Sequence, residues 1–326
     1  MSNFEDAIFR QIRGLWTGHA LLAAKKLGIM ELLMKSGLSI PQLADQLSVD
    51  ERGMRALIST LSDIGIVNNE NDVISLTALG RETSLPDRSL SGYIKFHSLL
   101  SNHWANLDKL LKKGSSLPID PNISVSPEIV KSYIEAMDAL GMPISEELVN
   151  ALDIKSGDRV LDLGGGSSVH ARAILSKHPD AQVTLLDRPI VIKLLKEEFS
   201  GKWNISKNLI LTEGDYLNLR SDEKYDIILL SNIIHNESSD NILNILESCS
   251  RVLNEGSRLA ILDYFYSANN KLTSSPAGFD LLLYLITSHG KIQNLDYIED
   301  LVKQAGFIEP VYSVLGNYRL GIYRKA

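Results

Sequence analysis

Residues 159–168, Arg-Val-Leu-Asp-Leu-Gly-Gly-Gly-Ser-Ser, constrain this chain more than any other stretch. Val160, Leu161 and Leu163 supply an apolar strand that runs straight into three successive glycines. Without Cβ atoms the main chain can turn sharply, and its N–H groups can approach a ligand that ordinary side chains would hold away. Helical spacing resumes at Val169, Ala173 and Ile174, so the turn opens a helix. A doubly wound α/β sheet holds nucleotides at such a turn, although a plain connection without a ligand has the same local pattern.

The strands that follow favour the ligand. Residues 182–186 are a second apolar run ending in Asp187, about 20 residues past the glycines, the spacing at which a carboxylate grips ribose hydroxyls. A third strand, 209–212, closes in Glu213-Gly214-Asp215, and a fourth, 225–230, closes in Ser231, Asn232 and, after two isoleucines, His235. A fifth, 259–262, ends at Asp263. Carboxylates and a histidine therefore collect at the carboxyl ends of consecutive strands, the rim where open α/β sheets bind ligands. Strand and helix alternate, with a helix at 242–252, which implies a parallel sheet covered on both faces. Helices at 279–287 and 297–304 follow, then a hairpin of 311–314 and 318–323 around Gly316-Asn317.

The N-terminal third reads differently. Residues 8–34 show helical apolar spacing broken at Gly28 and Gly37. Ser39-Ile-Pro-Gln and Ser48-Val-Asp-Glu each set a hydroxyl three residues ahead of an amide or carboxylate, the capping-box signature of two short helices. Val67 and residues 73–76 flank a polar turn, completing a mainly α winged helix. Residues 1–90 nevertheless hold nine Lys and Arg against eleven Asp and Glu, a net of −2, so the basic footprint of a DNA-binding domain is missing. A further helix at 90–112 carries His97, His103 and Trp104; a Gly-, Ser- and Pro-containing linker at 114–127 precedes a helix starting at Ser126-Pro127. Tyr133, Met137 and Leu140 share a face of it, and after Pro143 a separate short helix is expected.

The expected division is residues 1–113 as a winged-helix domain, 114–153 as linker and connecting helices, and 154–326 as the ligand-binding domain; 326 residues suit one domain of about 100 and another of about 200. A net charge of −7 argues against a general nucleic-acid partner. The single cysteine, Cys249, reads as helix packing. The first residues lack a basic and apolar signal pattern, and no stretch is apolar enough to span a bilayer, so a cytoplasmic location and no membrane partner are expected. No Asp or His cluster has metal-ligand spacing, so no metal is expected.

Asp-Leu-Gly-Gly-Gly-Ser at 162–167, Leu-Asp-Arg-Pro at 186–189, Glu-Gly-Asp at 213–215, Ile-Ile-His-Asn at 233–236 and Gln-Ala-Gly-Phe at 304–307 resemble S-adenosylmethionine-dependent O-methyltransferases of the caffeic-acid and hydroxyindole type, in order and spacing over nearly the whole chain. The resemblance implies a Rossmann-like class I methyltransferase domain with a mixed seven-stranded sheet, behind a winged-helix domain that forms a homodimer. It implies S-adenosyl-L-methionine as cofactor, held by Asp162, Gly164, Gly166, Asp187, Arg188, Asp215, Tyr216 and Ser231, with Asp187 on the ribose and Asp215 at the adenine edge. His235 matches the family's catalytic base and Asp263 an acid that orients it, while Trp104, Met137 and Asp280 fall where the family lines the pocket for a small, aromatic acceptor. Core packing is the other reading of Trp104 and Met137.

Methyl transfer from a sulfonium asks the protein to hold the acceptor in line, exclude water and remove a proton; a phenol with a pKa near 10 needs a base near neutrality. Three departures from the family pattern bear on this. Asn236-Glu237 replace the usual Asp-Trp, Ile292 stands in place of a second catalytic acid, and Ser168 occupies a position where glycine is usual. Members of this fold can also bind the sulfonium and promote a cyclisation or elimination without methylating, which is the alternative reading of the residues. A dehydrogenase is disfavoured because the third glycine of the dinucleotide fingerprint falls at Val169.

Overall fold

The computed structural model describes residues 3–85, 90–114, 126–203, 206–266 and 278–326. The chain divides into two compact units, Met1–Ala105 and Asn106–Ala326. The stretch 114–153, expected as linker and connecting helices, lies in the second unit, with 115–125 outside the described residues.

In the first unit α1 (Asn3–Leu27) ends at Gly28, whose φ of 75° redirects the chain into α2 (Ile29–Leu33). The capping box at Ser39 opens α3 (Ile40–Leu47): Gln42 N–H donates to Ser39 Oγ (3.4 Å), and Ser39 N–H donates to Gln42 Oε1 (2.8 Å). The second expected box is not made. Ser48, left-handed at φ 55°, closes α3 instead, and α4 (Glu51–Asp63) is capped by Asp50, whose carboxylate accepts from Gly53 N–H at 2.6 Å. Met54, Ile58 and Leu61 of α4 pack with Ala24, Met30, Leu43 and Ile74 in the core of this unit. The wing is β1 (Val67–Glu70) against β2 (Val73–Leu76), joined through Asn71 and Asp72, both at positive φ as a tight hairpin turn requires. The helix α5 (Ala78–Glu82) follows. The helix expected over 90–112 is two, α6 (Leu90–Ala105) and α7 (Leu107–Lys113), because Asn106 leaves helical geometry at φ −114°.

The second unit begins its main body with α8 (Pro127–Leu152), capped by Ser126 Oγ accepting from Ile129 N–H. Two helices meeting at Pro143 were expected; the structure has one of 26 residues. Proline withholds the N–H that the Ala139 carbonyl would receive, a cost of about 3 kcal/mol. Burial on both sides offsets it: Ile134 and Ala136 before Pro143, Ile144, Leu148, Val149 and Leu152 after it.

The remaining elements are β3 (Arg159–Leu163), α9 (Val169–Lys177), β4 (Gln182–Asp187), α10 (Pro189–Leu194), β5 (Leu209–Glu213), β6 (Tyr225–Ser231), α11 (Ser239–Val252), β7 (Leu253–Asp263), β8 (Phe265–Tyr266), α12 (Phe279–Ile286), β9 (Gln293–Asn294), α13 (Leu295–Gln304), β10 (Phe307–Leu315) and β11 (Tyr318–Lys325). Seven strands form one mixed sheet in the order β10-β11-β7-β6-β3-β4-β5, with only the terminal hairpin antiparallel. Alternate residues feed two cores. Val160, Val183, Ile227 and Ala260 face α8, α9 and α10, whereas Leu161, Ile228 and Leu259 face α11 and α13. The chain runs outward from β3 to β5 and then returns to β6, so the strand order reverses between β3 and β6, and a crevice opens beyond their carboxyl ends. Buried Cys249 lies in the α11 core, and burial pushes its thiol up to about 12.

Candidate active site

At that crevice lies a cavity with about 750 Å³ of non-protein space, including its open mouth. Its floor is the glycine turn, and each glycine there has its own reason. Gly164 sits at φ 72°, and a Cβ on it would lie 2.4 Å from Ile233 Cδ1; a Cβ on Gly165 would lie 2.6 Å from Leu185 Cγ. Gly166, at φ 52°, turns its N–H onto Asp187 Oδ2 at 2.8 Å, while Arg188 N–H donates to Oδ1 at 2.7 Å. These bonds orient the Asp187 carboxylate and leave lone pairs on both oxygens. Burial raises its pKa, and the two N–H donors oppose the rise. Ser168 is also left-handed, at φ 64°, and its hydroxyl does not cap α9. Ser168→Gly is accordingly expected to raise stability by about 0.5–1 kcal/mol in urea unfolding.

Asp162 stands on the β3 face shared with Val160, with Asp187 in the same cavity, and is 1% exposed. Among the described residues neither carboxylate oxygen has a hydrogen-bond partner. Burial, and then the Asp187 charge, push its pKa up to about 7; the nearby Ala171 N–H, outside hydrogen-bond geometry, opposes this only in part. Arg188 Nε is likewise buried without a hydrogen bond. Unsatisfied acceptors and a donor around a glycine cradle suit a cationic ligand that carries a nucleoside. The residues present therefore fit S-adenosylmethionine.

Tyr133, Ile134, Met137 and Gly141 of α8 form one wall; Tyr216, Ser231, Asn232, Ile233 and Asn236 form the other. Tyr216 OH donates to Glu237 at 2.6 Å, and burial together with that carboxylate raises its pKa. Glu237 also accepts from Asn241 Nδ2 at 2.7 Å. The Glu that replaces the usual tryptophan thus fixes a tyrosine on the cavity wall. His235, between wall residues Ile233 and Asn236 in sequence but not itself among the lining residues, is buried with Asp263. Its Nδ1 meets Asp263 Oδ1 at 2.5 Å, its N–H donates to Oδ2 at 3.2 Å, and Tyr264 N–H donates to Oδ1 at 2.8 Å. The Phe279 ring stands edge-on to the imidazole at 5.3 Å. With Nδ1–H given to Asp263, the lone pair of the neutral ring is on Nε2.

Asp162, Gly164, Gly166, Asp187, Arg188, Tyr216, Ser231 and Met137 are thus brought to one cavity. Asp215 is not: its exposed carboxylate accepts from Leu217 N–H (2.9 Å) and Asn218 Nδ2 (2.8 Å), capping the turn that carries Tyr216. Asp280 is committed to Tyr266 OH and to Ile292 N–H (2.7 Å), and Ile292 is core. Trp104, half-buried on α6, belongs to the first unit, whereas every residue lining the cavity belongs to the second. Tyr133, His170, Asn236 and Glu237 were not singled out as site residues from the sequence; a tyrosine one helical turn from Met137 was the one available signal.

Fold and cavity define a Rossmann-like protein of the class I methyltransferase type. Residues 113–308 match the O-methyltransferase domain, and residues 9–83 match the O-methyltransferase dimerisation domain. The chain belongs to the O-methyltransferase family. It is 23% identical over 319 residues to the mitomycin biosynthesis 6-O-methyltransferase of Streptomyces lavendulae, covering 93% of this chain and 88% of that protein. The crystal structure of human N-acetylserotonin methyltransferase in complex with S-adenosylmethionine superposes with a TM-score of 0.87 at 18% identity, covering 100% of this chain and 99% of the other. The structure of PigF with S-adenosylhomocysteine gives a TM-score of 0.81 at 20% identity, covering both chains fully. Among the described residues no helix is long and apolar enough to cross a membrane, and no group of three or more His, Cys, Asp or Glu could hold a metal ion.

Proposed function

We propose that this chain uses S-adenosylmethionine to methylate a phenolic or enolic hydroxyl of a small secondary metabolite, with His235 as general base. The observation that carries this reading is the buried His235–Asp263 pair, next in sequence to cavity-wall residues Ile233 and Asn236. When bound, S-adenosylmethionine supplies an electrophilic methyl group on a sulfonium. Gly164 and Gly166 let the main chain approach the cofactor, Asp187 keeps acceptors for two ribose hydroxyls, and Asp162 gives the cation a buried counter-charge. Asp215 shapes the turn at the adenine end, and Tyr216 and Arg188 flank it. Asp263 holds the imidazole with Nε2 as acceptor, and that nitrogen takes the hydroxyl proton as the acceptor oxygen becomes a nucleophile. Met137 walls the acceptor side, and Asp280 acts indirectly by holding α12 against Ile292.

The N-terminal unit serves as the homodimer contact in this reading. Besides the family match at 9–83, α1 leaves Ile8, Phe9, Ile12, Leu15 and Trp16 exposed, Trp16 by 64%, as an apolar stripe at helical spacing.

Calorimetric titration with S-adenosylmethionine, S-adenosylhomocysteine and NAD, followed by mass spectrometry of phenolic acceptors, tests the whole reading. Sulfonium binding without an NAD response, an acceptor heavier by one methyl group and a sedimenting dimer are expected. An acceptor rearranged at unchanged mass would replace methylation with the cyclisation or elimination reading.

A further inference from the structure

His170, on the first turn of α9, is buried at the cavity and takes no part in the chemistry described above. Both of its ring nitrogens are engaged: Nδ1 is 3.1 Å from Ser145 Oγ, and Nε2 is 3.1 Å from Ser231 Oγ. The direction of these bonds follows from a third. Ser145 Oγ–H donates to the Gly141 carbonyl at 2.8 Å, so its one proton is spent, and toward His170 it can only accept. His170 therefore carries its proton on Nδ1, and Nε2 accepts from Ser231 Oγ–H. Burial, and then the Arg172 charge, push the His170 pKa down to about 4, which keeps the ring neutral and this single tautomer in place near neutral pH. With its proton committed, the Ser231 hydroxyl has only lone pairs for the cavity. Asn232 Nδ2, at 3.4 Å, takes one of them.

We propose that Ser145 and His170 are positioning residues that hold Ser231 as a hydrogen-bond acceptor for a cationic donor, the α-ammonium at the amino-acid end of the cofactor. The assignment rests on the S-adenosylmethionine reading. Sheet order supplies the location: β3 lies between β6, which ends in Ser231, and β4, which ends in Asp187. With the ribose at Asp187 and the base toward β5, the group extending to β6 is the amino acid. Asp162, in the same cavity, is a second group of acceptors without partners. Two acceptors at this end match an ammonium, where a hydrogen-bonded carboxylate would need donors.

Nitrogen NMR of the unliganded protein should show His170 Nδ1 protonated and Nε2 bare; the reverse would overturn the relay. In binding assays, Ser231→Ala and His170→Phe should each weaken S-adenosylhomocysteine roughly ten- to hundredfold, while 5′-methylthioadenosine, which lacks the amino acid, binds as before. The double variant should be no worse than the weaker-binding single variant. His170→Gln, which can return an amide oxygen to the Nε2 position, should recover most of the affinity. Equal losses for both ligands would reduce His170 to a packing role. If the unaltered protein bound neither ligand, the cofactor reading and the ammonium assignment would fall together, while the nitrogen spectra would still decide the direction of the relay.

Discussion

His235→Ala is expected to lower turnover by about 10²–10⁴-fold, the usual worth of a positioned general base, while leaving S-adenosylmethionine affinity nearly unchanged. The asymmetry follows from position. The imidazole is held by Asp263, abuts Phe279 and is not among the residues that line the cavity, so its removal deletes a proton acceptor and not a cofactor contact. Asp263→Asn tests the same arrangement from the other side: an amide that presents its N–H₂ to Nδ1 stabilises the tautomer with the proton on Nε2, where no base is left. Raising the pH to ionise a phenolic acceptor in solution should restore part of the His235→Ala rate and none of a rate lost through misfolding. Equal losses of turnover and cofactor affinity in His235→Ala would remove the base role.

The second large effect is on the pH dependence of cofactor binding. Asp162 is protonated in the unliganded protein below about pH 7, and a cation is best served by its ionised form. Affinity for S-adenosylmethionine should therefore rise about tenfold per pH unit up to pH 7 and then level off, with one proton released per molecule bound in the acid range. S-adenosylhomocysteine keeps the α-ammonium and should show the same slope, whereas 5′-methylthioadenosine, which lacks the amino acid, should show a flat profile. Stability of the unliganded protein runs the opposite way. The folded pKa of about 7 lies above the ordinary 3.8, so the contribution of Asp162 is present below pH 4 and is lost as the pH rises through 7. Asp187 and Arg188 face the same cavity, and the Asp187 pKa is itself raised, so Asp162→Asn is the control: both pH profiles should flatten. Heats measured in buffers of different ionisation enthalpy count the protons, and an unchanged count in Asp162→Asn would assign the linkage elsewhere.

The parts of this molecule written in short-range chemistry could be read directly. Apolar runs ending in Asp187, Ser231 and Asp263 gave the parallel strands, and Ser39 with Gln42 gave a helix start at the residue where it occurs. Where two local signals competed, the sequence did not say which would win: Ser48 matched a cap, but the end of α3 needed it first, and Asp50 took the role. Pro143 reads as a break because the burial that carries α8 through it comes from the sheet it covers. The site shows the same division. Strand-end residues were visible, whereas Tyr133, His170 and Glu237 matter through partners 21 to 61 positions away or through elements that meet only in the folded chain. Asp215 and Asp280 also have partners that strand-end spacing did not show: Asp215 caps the turn that carries Tyr216, and Asp280 joins Tyr266 to the Ile292 N–H.

The uninterrupted course of α8 has a mechanical consequence. It is a rod about 39 Å long, and its first half supplies Tyr133, Ile134, Met137 and Gly141 to the cavity while its second half is anchored through Leu148, Val149 and Leu152. Pro143, the one residue unable to brace the preceding turn, falls between the two halves. The rod is nevertheless held on both sides of that proline, through Val130 and Ile134 before it and Ile144, Leu148 and Val149 after it. The cavity wall is therefore one piece with the core, so the cofactor site can open along this face only at the expense of core packing.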